Sequence, residues 1–209
     1  MRKIVLSAWI TLDGCVTSPD KDKMEWLRGD AQMMEYEQSF VDAADTLLFG
    51  RKTFNDFSSY WPALVHGEEP GANPLPMPME QQRQYARTID PMKKIVVSAS
   101  GKVASWRNVS VLSTIDPTQI ARLKRESGKN IAMYGSLSVV NPLSGHGLID
   151  EYELLVHPIF VGKGKPLFDA PFEAPSAALE FKSAHPFRSG VVLMKYSVAA
   201  GAADKKHSM

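Results

Sequence analysis

Gly50-Arg51-Lys52-Thr53 is the stretch of this chain whose residue types and order best fit a chemical task. Thr46-Leu47-Leu48-Phe49 fits a buried strand, and it runs directly into the glycine and the two basic residues. An apolar run closed by glycine and followed by a polar segment reads as strand, tight turn and helix start. The first amides of a helix lack intrahelical partners and sit at the positive end of its dipole, so they attract anions. Gly50 would let a ligand approach the backbone, and Arg51 can grip a phosphate through two parallel hydrogen bonds. An ordinary strand–helix turn with solvated basic residues has the same spacing, and both readings stand at this level.

The elements that must position this turn follow along the chain. Lys3–Trp9 is a strand candidate, and Leu12-Asp13-Gly14 is a turn signal followed by a polar loop. Ala31–Ala44 carries Met33, Met34, Phe40, Val41 and Ala44 at helical spacings. The helix opened at Arg51 is expected to end before Trp61-Pro62. Val65–Pro78, which holds Pro70, Gly71, Pro74, Pro76 and Pro78, reads as a surface excursion within one domain. Met79–Thr88 is a helix, Lys94–Ser98 a buried strand and Val109–Leu112 a short one. Pro117–Glu126 is a helix with Asp116 as N-cap and proline as first residue. Asn130–Met133 is the next strand, and Gly135-Ser136 opens a second strand-to-helix turn running towards Asn141-Pro142. Asp150–Val156, Ala177–Ala184 and Gly190–Val198 then read as strands with no helix between them, and Ala199–Met209 as a disordered tail.

Strands alternating with helices and closed by an antiparallel set indicate an α/β protein with a mostly parallel sheet covered on both faces. Ligands of such sheets bind beyond the carboxyl ends of the strands. That rule puts Ala8–Gly14, Gly50–Thr53, Ser98–Ser100 and Tyr134–Leu137 on one rim, with an extended cofactor as the natural occupant. Bulk properties narrow the function. The chain has 209 residues, 44% hydrophobic and 22% charged, as expected of a soluble globular protein. A net charge of +1 argues against nucleic acid as a partner. One cysteine, Cys15, excludes an internal disulfide and a multi-cysteine zinc site, and the histidines show no metal-ligand spacing. No segment approaches the roughly 20 apolar residues of a membrane span, and the basic start lacks the pattern of a signal peptide. A cytoplasmic protein with neither metal nor membrane partner is the simplest reading.

The segments LLFGRKTF, TLDG, KIVVS, YGS and LIDEYELLVHPIFVGKGKPLF, in this order, resemble the dihydrofolate reductase-like family. The branch they look most like is the reductase domain of the bifunctional riboflavin-biosynthesis deaminase-reductase, together with its stand-alone relatives. The likeness covers roughly residues 1–197. It implies a three-layer α/β/α domain over 1–198, its central sheet mostly parallel with antiparallel C-terminal strands, and the tail 199–209 outside it.

It further implies NADPH as cofactor. The 2′-phosphate end then falls on Gly50, Arg51, Lys52 and Thr53, and the adenosine lies beside Ser98 and Ser100. The pyrophosphate falls on Gly135, Ser136 and Leu137, and the nicotinamide approaches Ala8, Asp13 and Gly14. Where relatives carry a Gly-Gly pair at the pyrophosphate turn, Tyr134-Gly135 stands here. The acid that dihydrofolate reductases hold on the first helix corresponds best to Glu35, with Glu25 and Asp30 nearby. The function implied is hydride transfer from NADPH to a small heterocyclic or carbonyl-containing substrate, by a chain that forms a homodimer. Reduction of a ribosylaminopyrimidine phosphate, NADPH or nucleotide binding without turnover, and phosphosugar or nucleotide processing are the alternatives. Trp9 and Trp26 are residues able to wall a flat ring, and His157, after a strand, reads as structural.

Overall fold

Branched apolar runs flanked by glycine, proline and Asx residues give strands here, and the methionine- and aromatic-striped segments between them give helices. The computed structural model describes residues 1–18, 26–68, 70, 78–169 and 178–199. Its order is β1 (Ile4–Thr11), α1 (Ala31–Asp42), β2 (Ala44–Gly50), α2 (Arg51–Val65), α3 (Met79–Ile89), β3 (Lys93–Val97) and β4 (Val109–Leu112). Then follow α4 (Pro117–Arg125), β5 (Asn130–Tyr134), α5 (Leu137–Gly145), β6 (Glu151–His157), β7 (Leu179–Pro186) and β8 (Val192–Val198). The strands form one sheet in the order β4-β3-β2-β5-β1-β6-β8-β7. The pairs from β4 across to β6 are parallel, and β8 joins β6 and β7 antiparallel.

Two apolar cores lie on the two sides of this sheet. One gathers Val5, Leu47, Phe49 and Val96 with residues of α1, α2 and α3, such as Phe40, Phe54 and Tyr85. The other gathers Ile4, Leu6, Leu48 and Met133 with Ile120 of α4 and Val139, Val140 and Leu143 of α5. Successive strand residues therefore alternate between two buried layers, and this is why the parallel strands read as continuous apolar runs.

The helix starts follow the sequence closely. Asp116 accepts from Thr118 N at 2.9 Å ahead of Pro117. Asp30 caps α1 by accepting from Met33 N at 2.9 Å. Its second oxygen takes Ser189 N at 2.7 Å, tying α1 to the β7–β8 turn.

Two helix ends differ from expectation. α2 does not stop before Trp61-Pro62 but continues to Val65 with Pro62 inside it. Trp61 and Leu64 are buried on that last turn, with the Trp61 ring 4.6 Å from that of Tyr85. Their burial outweighs the one hydrogen bond that proline forfeits. α5 likewise passes through Pro142 to Gly145. Most of the proline-rich excursion (69 and 71–77), the first residue of the expected strand at Ala177 and the tail from 200 on lie outside the described residues.

Arg2 anchors the N-terminal edge. Its guanidinium is buried and pairs with Asp45, while also donating to Thr46 Oγ1 at 2.7 Å and Lys129 O at 2.7 Å. Asp45 in turn accepts from Lys129 N at 2.8 Å. Breaking such a pair from one side leaves the buried guanidinium with only the more distant Glu126, at 3.9 Å, as an acidic partner. Asp45→Ala is expected to lower stability by about 2–3 kcal/mol, read as a lower urea midpoint with an unchanged slope.

Candidate cofactor and proton-transfer site

β2 and β5 are parallel neighbours, so the turns that leave them emerge side by side. Gly50 is the N-cap of α2 and Ser136 that of α5, and neither cap's side chain occupies its own helix's free amides. The turns touch instead: Gly50 N donates to Ser136 Oγ at 3.0 Å, and the Thr53 and Ser136 hydroxyls are 2.6 Å apart. A Cβ at Gly50 would stand 2.8 Å from Ser136 Oγ, so only glycine fits. Two helix N-termini thus converge with exposed Arg51 and Lys52 at the first positions of α2. Helix dipole, free amides and guanidinium are each features that favour negative charge.

The left-handed positions of the second turn are Gly135 (φ 37°) and Ser136 (φ 68°). Tyr134 is the last residue of β5, so the glycine-like pair is Gly135-Ser136 and no strain falls on the tyrosine. Leu137 is the first residue of α5.

The remaining expected residues sit on the same rim with different roles. Ser98 follows β3, is buried, and lies 3.3 Å from Ser100 Oγ, while Ser100 is exposed. Ala8 turns its side chain into the α4–α5 core. Gly14 is left-handed, with φ 77°. Asp13 is occupied by neighbours. It accepts from the Thr11 hydroxyl at 2.5 Å, Gly162 N at 2.8 Å and Val161 N at 3.3 Å. These bonds, that of Thr11 foremost, hold its carboxyl below the usual range.

The acid on α1 differs from expectation. Glu35 is exposed and lines a hollow of about 220 Å³ between α1 and α3 with Gln38, Gln81 and Gln84. Glu25 lies outside the described residues, and Asp30 is committed to its cap. The buried carboxylate is Glu37, 4% exposed. Two residues along a helix turn a side chain by about 200°, which carries Glu37 to the sheet side. There Trp9 Nε1 donates to one carboxylate oxygen at 2.9 Å and the Tyr134 hydroxyl to the other at 3.2 Å. Tyr85 donates to the Tyr134 oxygen at 2.6 Å. Burial pushes Glu37 up to about 7, against the opposing pull of those two hydrogen bonds. Burial also raises both tyrosines well above their ordinary value, so they remain phenols and donors.

His157 ends β6 at the same rim and is fully buried. Its Nδ1 accepts from Arg28 N at 3.1 Å, and Trp26 meets its ring edge-on at 5.0 Å. Burial lowers it to about 4, so the imidazole is neutral. These contacts join the Trp26–Arg28 segment to the end of β6.

Glu37 was missed in the sequence, although a signal was present. With Met33, Phe40 and Val41 it occupies one helical stripe, where it is the charged residue on an apolar face. Tyr134 and Tyr85 carried no such mark.

The chain matches the family model for the RibD C-terminal domain over residues 2–193. It belongs to that family. YyaP of Bacillus subtilis (strain 168) is 28% identical over 195 residues, 93% of this chain and 94% of that protein. Among solved structures, the deaminase/5-amino-6-(5-phosphoribosylamino)uracil reductase of Thermotoga maritima superposes with a TM-score of 0.62. Identity is 14%, covering 95% of this chain and 57% of that one. Dihydrofolate reductase from Enterococcus faecalis, complexed with NADP(H), superposes with a TM-score of 0.55. Identity is again 14%, covering 94% and 96% of the two chains. The resemblance in the sequence is therefore right in family and in fold: the RibD C-terminal domain here is the dihydrofolate-reductase-like α/β architecture, a reductase-type fold.

Glu37 also leaves a thermodynamic signature. Its folded value of about 7 exceeds its ordinary 4.5, so the folded state binds the proton more tightly. Stability from this group is present below the unfolded value and is lost as pH rises through 7, by up to about 3 kcal/mol. Glu37→Gln removes the dependence. Urea denaturation of both proteins at pH 4.5 and 7.5 is expected to show the variant gaining up to about 3 kcal/mol relative to wild type between these two pH values.

Proposed function

We propose that this chain is an NADPH-dependent reductase that transfers hydride to a small heterocyclic or carbonyl-containing substrate, acting in the cytoplasm as a homodimer. The observation that carries the reading is the convergence of the α2 and α5 N-termini at Gly50 and Ser136, beside Arg51 and next to the buried Glu37 network. The residues fit the cofactor. The contact that excludes a Cβ at Gly50 keeps both sets of amides at one place. The left-handed Ser136 is the kind of backbone outlier that ligand clamps retain.

In this reading Gly135, Ser136 and Leu137 bind the pyrophosphate. Gly50, Arg51, Lys52 and Thr53 take the 2′-phosphate end, and Ser98 and Ser100 flank the adenosine. The β1 end, Ala8 to Gly14, borders the nicotinamide through its backbone, because the Asp13 carboxylate already bonds the 161–162 amides. NADPH, when bound, supplies the hydride. The protein supplies orientation, exclusion of water and a proton. Glu37, rather than Glu35, is the group on α1 suited to hold that proton, because its value of about 7 keeps both forms populated near neutral pH. Trp9 and Tyr134 fix its carboxyl, and Tyr85 fixes Tyr134. Family membership favours the ribosylaminopyrimidine phosphate as the first substrate to try.

Two experiments test this. Titration with NADPH and NADH, followed by tryptophan fluorescence, is expected to show tight NADPH binding that weakens roughly 10- to 100-fold in Arg51→Ala, with NADH little changed. Failure to bind either cofactor would remove the reductase reading. With a reducible substrate in hand, Glu37→Gln is expected to lower kcat about 100-fold and to abolish the titration near pH 7, with little change in KM. Glu35→Gln is expected to leave both intact.

A further inference from the structure

One cross-strand row of the α1-facing layer is polar from end to end. Register sets Tyr134 of β5, Ser7 of β1, Glu153 of β6 and Lys195 of β8 side by side. Alternation puts them on the face that carries Val5, Leu155 and Leu193. α1 adds Tyr36 to this row. Its hydroxyl donates to Ser7 Oγ at 3.2 Å and also meets the Glu153 carboxylate, and the Lys195 ammonium stands 5.2 Å from the centre of its ring. Glu153 is 8% exposed. Its Oε2 has no aligned hydrogen-bond donor among the described residues, although Lys195 Nζ lies 2.9 Å away. A buried oxygen held in this way costs stability and needs an explanation.

The row joins two places. At one end the Tyr134 hydroxyl donates to Glu37. At the other, Glu153 and Lys195 line a cavity of about 100 Å³ together with Ser39, Asn130 and Glu151. Asn130 and Glu151 open β5 and β6, so the cavity lies toward the N-terminal ends of the strands, away from the rim. Its size and polar walls suit several water molecules. Tyr36 is coupled to both acids. Burial first, then the charges of Glu37 and Glu153, raise its hydroxyl well above the ordinary value, so it keeps its proton. We propose that this row is the route by which Glu37 is reprotonated, Glu153 collecting the proton at the cavity and the Tyr36 and Ser7 hydroxyls passing it inward. This rests on Glu37 as the proton donor of the reaction. A donor that yields its proton must regain one before the next cycle. Glu37 is buried by the protein's own atoms, so that proton travels through protein groups. Solvent in the cavity protonates Glu153, Glu153 gives that proton to a hydroxyl oxygen as the hydroxyl passes its own onward, and the Glu37 carboxylate takes the last. One proton enters, and no bond between heavy atoms forms or breaks. The Lys195 ammonium favours the return of Glu153 to its ionised form. The groups that face Glu37 are Tyr36 on α1, Trp9 on β1, Tyr134 on β5, Tyr85 of α3 through Tyr134, and Glu153 on β6. Of these, Glu153 alone lines the cavity.

A caged-proton pH jump across neutrality on the full chain tests this, read by tryptophan fluorescence because the Trp9 indole bonds to Glu37. The signal is expected in wild type and absent in Glu37→Gln. Glu153→Gln and, separately, Tyr36→Phe are expected to keep the equilibrium change and to slow its relaxation at least about tenfold, with circular dichroism verifying that both fold. A merely structural role would alter folding or amplitude and leave the rate alone. Relaxation as fast as wild type in both variants would overturn the route and leave the role of Glu37 standing. A wild type without any signal that Glu37→Gln removes would overturn both.

Discussion

Most of the site depends on one close approach, that of the Gly50 backbone to the Ser136 side chain. It brings together two turns 86 residues apart in sequence, and it exists because β2 and β5 are adjacent parallel strands whose C-terminal ends lie in register, Leu48 beside Met133. Replace the hydrogen at Gly50 with any side chain and the two helix starts must separate. The electrostatics follow from that geometry. A single helix N-terminus offers a few free amides and half a unit charge, whereas two aimed at one place, with a guanidinium beside them, suit a ligand carrying several phosphates.

Behind those two turns lies a polar system of the opposite kind. Glu37, Tyr134 and Tyr85 are buried between α1, α3 and the sheet, with partly buried Trp9 beside them and the rings of Phe40, Phe49 and Phe57 packed on Tyr134. A buried carboxylate is tolerated when its oxygens are hydrogen-bonded, and here each oxygen has a donor. The aromatic surroundings explain why the proton is held so firmly. They deny the ionised form its solvation, while the indole and the phenol return only part of it.

How much of this was legible in the chain depended on the range of the interactions. The strand-turn-helix at Gly50, the Asp116 cap and the alternation that defines the fold are local patterns, and they were read within a residue or two. The helix through Pro62 was misread because burial of Trp61 and Leu64, a tertiary effect, outweighs a local rule. The burial of the acids on α1 was not legible for a related reason. Glu35 and Glu37 are near-identical in local sequence, and what separates them is which side of α1 meets the sheet. Spacing from the Gly50 turn favoured one; the apolar stripe through Met33 and Phe40 would have favoured the other. The roles of Tyr85 and Tyr134 arise from partners 49 residues apart, and no local pattern encodes them.

The clasp made by Asp13 has a consequence for how this sequence can vary. Its carboxylate binds the amides of Val161 and Gly162, while Leu167 N donates to Gly14 O and Val16 N to Lys165 O. Gly164 is pressed against this same seam, where an added Cβ would meet the Thr17 carbonyl. The loop after β1 and the connection after β6 thus behave as one piece, although some 150 residues separate them in the chain. An insertion or deletion in either would misalign the other, so changes of length in these two loops must come in pairs.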